Sequence, residues 1–286
     1  MSDGQVSGRS RDAAYAEARR LAVARRRYAI RVRLAQAGVL VLVLGLWQLG
    51  SGRLFDPFYL GSPQGILEVM LHDFRDPQFY ADLRITAVEM AAGYGLGAVL
   101  GILTGATFAR WRFAADVFDP FFVALNSIPR IALAPLIIIW FGIDISSKVV
   151  LAATLVYFMT FFSTLAGIRG VDEAVVNVAR VMGASHWQIF LKVQLPGALA
   201  WITSGLRLSL PFALIGVIVG EFLAASEGLG YRLNMYSTTY KPNGVFAMLI
   251  VLMVIMMVLN WLIGWIEARA MGRRIAKPGA GSDVTP

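Results

Sequence analysis

The sequence predicts an all-α integral membrane protein with six transmembrane helices and both termini in the cytoplasm. Three observations indicate this fold class. Hydrophobic residues make up 57% of the 286 residues and charged residues only 15%, unlike a soluble domain with a polar surface. Six apolar runs alternate with more polar segments, and the basic residues gather at the two ends of the chain.

The apolar runs have lengths suited to crossing a bilayer as helices. At about 1.5 Å per residue, roughly 20 residues cover the hydrocarbon core. The predicted spans are residues 34–50, 84–108, 117–141, 148–168, 202–225 and 245–266. They define a transmembrane domain at 34–269, with a basic cytoplasmic segment at 1–33 before it and a cytoplasmic tail at 270–286 after it.

The positions of Lys and Arg predict the orientation. Residues 1–33 contain nine Arg and three acids, and four more basic residues follow the last span. Because cytoplasmic segments are enriched in Lys and Arg, both ends are predicted to be cytoplasmic, which requires an even number of spans. Residues 51–82 carry five acids and two Arg, which fits the outer side.

The net charge of +8 could indicate a nucleic-acid partner, but most of the excess lies next to the first and last spans. Topology and attraction to anionic membrane lipid explain it better, so no nucleic-acid partner is predicted. Residues 12–34 are rich in Ala and Arg, and they suit either a basic helix on the inner leaflet or a disordered tail.

The second span carries four glycines at four-residue spacing: Gly93, Gly97, Gly101 and Gly105. Small residues on one helical face allow two backbones to approach closely in lipid, which predicts a helix-packing stripe. A nucleotide-binding loop beginning at Gly93 is the alternative, but no strand precedes it and the segment is a predicted span.

Candidate pathway residues lie in the third and fifth spans. Pro129 and Pro135 predict a bent third span. Arg130 would cost about 2.5–3.5 kcal/mol at the centre of a lipid-facing helix, so it faces an aqueous path, a partner or an interface, or else it snorkels to the headgroups. Asn126, Arg130 and Glu221 are the candidate translocation residues, and Glu221 also suits an interfacial position.

A 28-residue polar segment, Arg169–Pro196, separates the fourth and fifth spans and is predicted to be cytoplasmic. Asp172 and Glu173 favour a helix start, and apolar residues recur at helical spacing until Gly183. A second apolar face follows at Trp187, Ile189, Phe190 and Val193. The pattern predicts helix, glycine turn and helix, either as a docking surface for another protein or as an ordinary amphipathic loop.

This segment resembles the cytoplasmic EAA loop of binding-protein-dependent ABC importer permeases. That loop reads Glu-Ala-Ala, three residues, Gly, nine residues, Ile, one residue, Leu-Pro. The corresponding positions here are Asn177, Val178, Ala179, Gly183, Val193, Leu195 and Pro196. Val193 is a conservative replacement, whereas Asn177 removes the charge of the usual Glu.

Three further stretches resemble the branch of this family that serves nitrate, taurine, aliphatic sulfonates and some pyrimidines. They are residues 126–142 (NSIPRIALAPLIIIWFG), the motif Gly183-Ala184-Ser185 followed by Trp187-Gln188, and the motif Gly228-Leu229-Gly230-Tyr231. The resemblance covers about residues 46–269. It implies a type I ABC importer permease in the bacterial inner membrane.

The resemblance also implies the partners. These are a second permease copy, two ATPase subunits that bind ATP and Mg²⁺, and an extracytoplasmic solute-binding protein. The implied ATPase-docking residues are Asn177, Ala179, Gly183, Ala184, Ser185, Trp187, Gln188, Ile189, Phe190, Leu195 and Pro196. The chain has no Walker phosphate loop, no cysteine and only two histidines, so it is predicted to bind no cofactor or metal and to hydrolyse no ATP.

Two other classes of function remain open at this stage. A secondary carrier driven by an ion gradient would place ionisable groups near the midplane, often within repeated halves. The spans contain few acids and no convincing internal repeat. A membrane scaffold or sensor that moves nothing is the other alternative. The substrate also stays open, because Arg130 suits an anion while the branch takes neutral and zwitterionic solutes too.

Overall fold

The computed structural model describes residues 3–270, and within them the side chains of residues 25, 27–265 and 269. The described residues form helices and loops, with one isolated bridge between Ser51 and Phe55 in place of any strand. The chain divides into two compact units, residues 1–67 and residues 68–286. The predicted tail at 270–286 lies, apart from its first residue, outside the described part.

The helices follow one another along the chain with short connections. They are α1 (Asp3–Gly50), α2 (Pro57–Leu60), α3 (Pro63–Asp73), α4 (Pro77–Arg110), α5 (Arg112–Ser127), α6 (Ala134–Phe141), α7 (Ile145–Arg169), α8 (Glu173–Val181), α9 (His186–Ile189), α10 (Leu195–Gly197), α11 (Leu199–Ala224), α12 (Leu229–Thr238) and α13 (Pro242–Ala270). A 3₁₀ turn (Arg130–Leu133) precedes α6, and a π turn (Phe190–Gln194) follows α9. Because α1 is continuous, residues 12–34 are helical.

Five helical segments are long and apolar enough to span a membrane, and a bent pair makes a sixth if it is counted as one span. The five are Arg27–Gly50, Pro77–Arg110, Ile145–Arg169, Leu199–Ala224 and Pro242–Trp265, and the pair is Arg112–Ser127 with Arg130–Phe141. Each predicted span overlaps one of these six. The predicted helical membrane fold is therefore confirmed.

The third predicted span is two helices that meet at an angle of 79°. Ile128, which precedes Pro129, has an extended backbone with φ −70° and ψ 128°. This is the region that a following proline enforces, because the proline ring disfavours the helical conformation of the residue before it. Pro135 lies in the first turn of α6, where a missing N–H costs nothing, so only Pro129 accounts for the bend.

Helices α4, α7 and α11 form the core of the second unit. A Cβ atom added to Gly97 would lie 2.5 Å from the Ala153 carbonyl oxygen, and one added to Gly105 would lie 2.7 Å from that of Phe161. Gly93 and Gly101 also face α7. The glycine stripe of α4 thus packs closely on α7, and α7 also contacts α11, where Gly216 meets Ala152.

Two smaller apolar clusters join this core to the shorter helices at its two ends. Phe79, Leu229, Tyr236, Met248 and Val251 bring together the start of α4 with α12 and α13. At the other end, Ile168, Phe190, Ala198 and Ile202 join the end of α7, the segment after α9 and the start of α11. The α8–α9 segment and helix α12 therefore lie at opposite ends of the core helices.

Candidate functional sites

The polar segment between α7 and α11 folds as two short helices around a glycine turn. Asp172 caps α8, since its carboxylate accepts a 2.8 Å hydrogen bond from the Ala174 N–H. Gly183 has φ +82°, and the N–H groups of Gly183 and Ala184 donate to the carbonyls of Arg180 and Ala179. This double closure is a Schellman motif, which favours glycine at the left-handed position.

Ser185 and Gln188 fix the start of α9 by a reciprocal capping box. The Ser185 N–H donates to Gln188 Oε1 at 2.8 Å, and the Gln188 N–H donates to Ser185 Oγ at 3.3 Å. Both residues are among the implied docking residues, and the structure adds this capping role. The Ser-x-x-Gln spacing was the available signal.

The apolar residues of the segment differ in burial. Val178, Val181 and Met182 are 60%, 88% and 81% exposed, and Trp187 is also exposed. Ile189 and Phe190 are both buried, and Phe190 lies in the cluster that joins α7 and α11, so it anchors the segment from within the chain. Leu195 packs against the same cluster. The exposed valines and Met182 form an apolar face that nothing in the second unit covers among its described residues.

Asn177, at the position of the usual Glu, is exposed on α8. Its side-chain oxygen accepts a 2.9 Å hydrogen bond from Nη1 of Arg180 on the same helix. The amide therefore neutralises no charge on Arg180, which stays cationic at the edge of the exposed apolar face.

At the opposite end, Arg232 of α12 binds three aspartates, and we call this group, with Tyr236, the arginine cluster. Nε of Arg232 donates to Asp82 at 2.9 Å, Nη1 to Asp73 at 3.2 Å and Nη2 to Asp76 at 2.9 Å. The Tyr236 hydroxyl donates to Asp73 at 2.7 Å. Asp73, Asp82 and Arg232 are buried, so these charged groups interact mainly with one another and little with water.

The hydrogen bonds of the arginine cluster shift the pKa values of its members. The hydrogen bond from Arg232 lowers the pKa of Asp76. Burial alone would lower the pKa of Arg232, but its bonds to Asp76 and Asp82 outweigh burial and raise it. Burial, together with the Asp73 carboxylate, raises the pKa of Tyr236 to about 12. The cluster therefore favours charged Asp76 and Arg232 beside a neutral Tyr236.

The Gly228-Leu229-Gly230 motif forms the start of α12, and its backbone is capped by other helices. The N–H groups of Gly228 and Leu229 donate to Asp82 and Thr86 of α4 at 3.0 and 2.9 Å. The Gly230 N–H donates to Glu221 of α11 at 2.6 Å. Three otherwise unpaired N–H groups are thus satisfied, two of them by carboxylates placed at the positive end of the helix.

Glu221, a candidate pathway residue, is 1% exposed and also accepts a 2.6 Å hydrogen bond from Thr86. A Cβ atom on Gly230 would lie 2.7 Å from Cβ of Glu221, so this approach requires glycine. Asp82 and Thr86 are the partners that sequence analysis missed. No local signal marks them, because the contacts join residues 135 or more positions apart.

The other two candidate pathway residues lie side by side at the bend of the third span. Arg130 donates through Nη2 to the side-chain oxygen of Asn126, and its guanidinium carbon lies 4.4 Å from the centre of the Phe158 ring. Asn126 is exposed at the surface of this chain, and Arg130 is half-buried. The structure brings Asn126 and Arg130 together, while Glu221 has its hydrogen bonds with Thr86 and Gly230.

Up to six apolar spans and a helix-turn-helix segment between α7 and α11 define a helical integral membrane protein. Residues 97–272 match the family described as binding-protein-dependent transport system inner membrane component. The chain belongs to this family. It is therefore a membrane-embedded permease component rather than a catalytic enzyme.

Several permeases are similar to the chain over most of their length. It is 33% identical over 213 residues to the formylaminopyrimidine transport permease protein ThiX of Halalkalibacterium halodurans, covering 74% of this chain and 84% of that protein. It is 33% identical over 211 residues to the putative aliphatic sulfonates transport permease protein SsuC of Bacillus subtilis, covering 73% and 76%. The taurine transport system permease protein TauC of Escherichia coli is 28% identical over 217 residues, covering 74% and 79%.

Solved structures show the same fold. An inward-facing structure of the MetNI methionine ABC transporter contains a chain with a TM-score of 0.54 and 19% identity, covering 73% of this chain and 95% of that one. A second inward-facing structure has a TM-score of 0.52 and 22% identity, covering 68% and 94%. At this identity the likeness bears on the fold alone.

Proposed function

We propose that this chain is the permease subunit of an ATP-driven ABC importer for a small polar or anionic solute. The substrate class is a sulfonate, taurine, nitrate or pyrimidine-like compound that an extracytoplasmic binding protein delivers. Both termini and the α8–α9 segment face the cytoplasm, and two copies form the pathway. Membership of the permease family and the substrates named for ThiX, SsuC and TauC support this proposal.

The exposed apolar face of the α8–α9 segment is the observation that carries the proposal. Val178, Val181 and Met182 expose a large share of their side chains, whereas Ile189 and Phe190 of the same segment are buried. Apolar side chains grouped in this way favour a protein partner. The partner is an ATPase subunit, of which two bind ATP and Mg²⁺, one under each permease copy.

The packing suggests how ATPase movement reaches the spans. Phe190 joins the segment to the end of α7 and the start of α11, so a displaced segment carries both helices with it. Helix α4 follows, because its glycine stripe packs closely against the backbone and the small or β-branched side chains of α7. Closure of the ATPase dimer would therefore move these three helices together and open the pathway to the outside, and hydrolysis would reverse the movement.

Copurification tests this function. The chain would be expressed with the ATPase and binding protein encoded beside it, and ATP hydrolysis would be measured with sulfonates, nitrate and pyrimidines. We expect stimulation by one of these classes in the reconstituted complex. Val181→Asp should remove both ATPase retention and stimulated hydrolysis, because it places a charge in the apolar face, whereas Val181→Met should keep both. A Val181→Asp complex with unchanged assembly and hydrolysis would contradict the docking assignment.

A further inference from the structure

One groove of the second unit has no role in the proposed function. It has a volume of about 640 Å³ and lies between the last turns of α4 and the residues that run from α9 to α10. Its apolar lining comes from Ile102, Leu103 and Ala106 on α4 and from Phe190 and Leu195 on the other side. We call it the α4 groove.

Arg110 is the charged residue of this lining, and it lacks a counter-charge. Its side chain is half-buried, and within the described part of the chain its buried Nε has no hydrogen-bond partner. No acid among the described residues forms an ion pair with Arg110. The C-terminal dipole of α4 favours a cation here but supplies no acceptor to this Nε. Because a partly desolvated cation is costly without a partner, an anion is the complementary ligand.

The position of the groove indicates where this anion comes from. Arg110 is the last residue of the apolar span Pro77–Arg110, and Leu103 precedes it by roughly 10 Å along the helix. Trp111 and Trp187 also line the groove and are 62% and 59% exposed. Indole rings favour the membrane–water interface. A cation at the end of a span, with an apolar wall further along the same helix, matches the order of headgroup and acyl chain in a phospholipid.

We propose that the α4 groove binds an anionic phospholipid. The guanidinium of Arg110 donates charge-assisted hydrogen bonds to the headgroup phosphate, and one acyl chain lies against Ile102 and Leu103. The lipid belongs to the cytoplasmic leaflet, and this part rests on the proposed function, which places the α8–α9 segment in the cytoplasm. The bound lipid also contacts Phe190, the residue that joins the docking segment to α7 and α11.

Fluorescence quenching at a single cysteine tests this proposal beside the groove. The chain has no cysteine, so Val99→Cys labelled with bimane gives one probe, about a turn before Leu103 and outside the groove lining. Val99 is 56% exposed, so the label does not disturb the core. The protein would be placed in phosphatidylcholine nanodiscs that contain increasing fractions of spin-labelled phosphatidylglycerol or spin-labelled phosphatidylcholine with identical acyl chains.

The two lipids differ only in the headgroup, so their difference measures the effect of net charge. We expect half-maximal quenching at an about fivefold lower fraction of phosphatidylglycerol than of phosphatidylcholine, because one arginine attracts one anionic headgroup. Val88→Cys is the control, since Val88 is 53% exposed on the same helix but far from Arg110. It should show no preference between the two lipids.

Substitutions of two neighbouring arginines separate the groove from general surface charge. Arg110→Gln should remove the preference for phosphatidylglycerol, and Arg110→Lys should keep most of it, because lysine retains the charge. Arg112→Gln should reduce the preference less than Arg110→Gln does, since Arg112 is exposed to screening by salt and does not line the groove.

Equal quenching by the two lipids at Val99→Cys, or the same preference at Val88→Cys, would overturn the proposal. A preference that survives Arg110→Gln, or equal effects of Arg110→Gln and Arg112→Gln, would also overturn it. If Arg110→Gln released the ATPase and left quenching unchanged, the groove would be a protein interface and the proposal would be wrong.

The lipid comparison at Val99→Cys requires no substitution of Arg110, so it remains decisive even if Arg110→Gln fails to assemble. The measurement also requires neither ATP nor a binding protein. Absence of ligand-stimulated ATP hydrolysis would therefore contradict the proposed function alone, and the two failures are distinguishable.

Discussion

Nε of Arg232 donates a 2.9 Å hydrogen bond to Oδ2 of Asp82, a carboxylate 150 residues earlier in the chain. The same carboxylate caps the start of α12 through the Gly228 N–H. Asp82 therefore binds α12 at two points, which are the backbone N–H of Gly228 and the guanidinium of Arg232. This double hold makes α12 and the start of α4 a single mechanical element.

Removal of the guanidinium should destabilise this element. Arg232→Met leaves Asp73 and Asp82 buried without a counter-charge, and we expect a loss of about 3–5 kcal/mol. Thermal and denaturant unfolding of the detergent-solubilised complex would measure it. Arg75→Met, at an exposed position, should change stability by about 0.5 kcal/mol or less. Equal effects of the two substitutions would contradict a special role for Arg232.

The contribution of Asp76 should depend on pH. Its pKa is lowered from 3.8 by the hydrogen bond from Arg232, so its stabilisation is complete above about pH 4 and is lost as the pH falls through the folded-state value. The difference in unfolding midpoint between the wild-type protein and Asp76→Asn should thus be constant from pH 7 to pH 5 and shrink below pH 4. A difference that stays constant to pH 3 would show that this ion pair does not stabilise the fold.

The contact between α4 and α7 offers a matched pair of glycines. Gly97→Ala would place a Cβ atom 2.5 Å from the Ala153 carbonyl oxygen, and the separation needed should cost about 1–3 kcal/mol. Gly95 has open space at its Cβ position, so Gly95→Ala should be neutral or stabilise the helix by up to about 1 kcal/mol. The unfolding midpoints of the two variants, each compared with that of the wild-type protein, would measure this difference in stability. If Gly97→Ala proved as stable as Gly95→Ala, the close packing of Gly97 against Ala153 would be contradicted.

The turn at Gly183 should be sensitive to conformation rather than to side-chain volume. Its Cβ position is open, but its φ of +82° strains most other residues. Gly183→Val should cost about 1–2 kcal/mol and reduce ligand-stimulated ATP hydrolysis about 5- to 30-fold, while membrane insertion is unchanged. Gly183→Asn should retain most activity, because asparagine tolerates this region. Equal hydrolysis by both variants would contradict the predicted role of the turn in coupling.

Arg130 should matter for transport of an anionic solute. It keeps its charge next to Asn126 at the bend of the third span, where a solute carboxylate or sulfonate would gain a charge-assisted hydrogen bond. Arg130→Ala should lower the uptake rate at least about tenfold at low solute concentration, and Arg130→Lys should lower it less. Unchanged uptake kinetics in Arg130→Ala would remove this residue from the pathway.

Sequence patterns alone predicted the spans, the bend at the third span, the glycine stripe and the helix-turn-helix segment. These features depend on residues close together in the chain. Apolar length determines a span, Pro129 restricts Ile128 next to it, and Gly183 provides its own positive φ. Solvent and local sterics act on such patterns in the same way in any fold.

Tertiary structure decided which neighbours each residue acquired. Phe190 and Val181 are both apolar residues of one polar segment, yet packing with Ile168 of α7 and Ile202 of α11 buries the first, while the second is 88% exposed. Asp82, Thr86 and Glu221 likewise become caps of α12 only when three helices meet. A hydrogen bond depends on distances of about 3 Å in space, and helix packing sets those distances between residues that the chain keeps far apart.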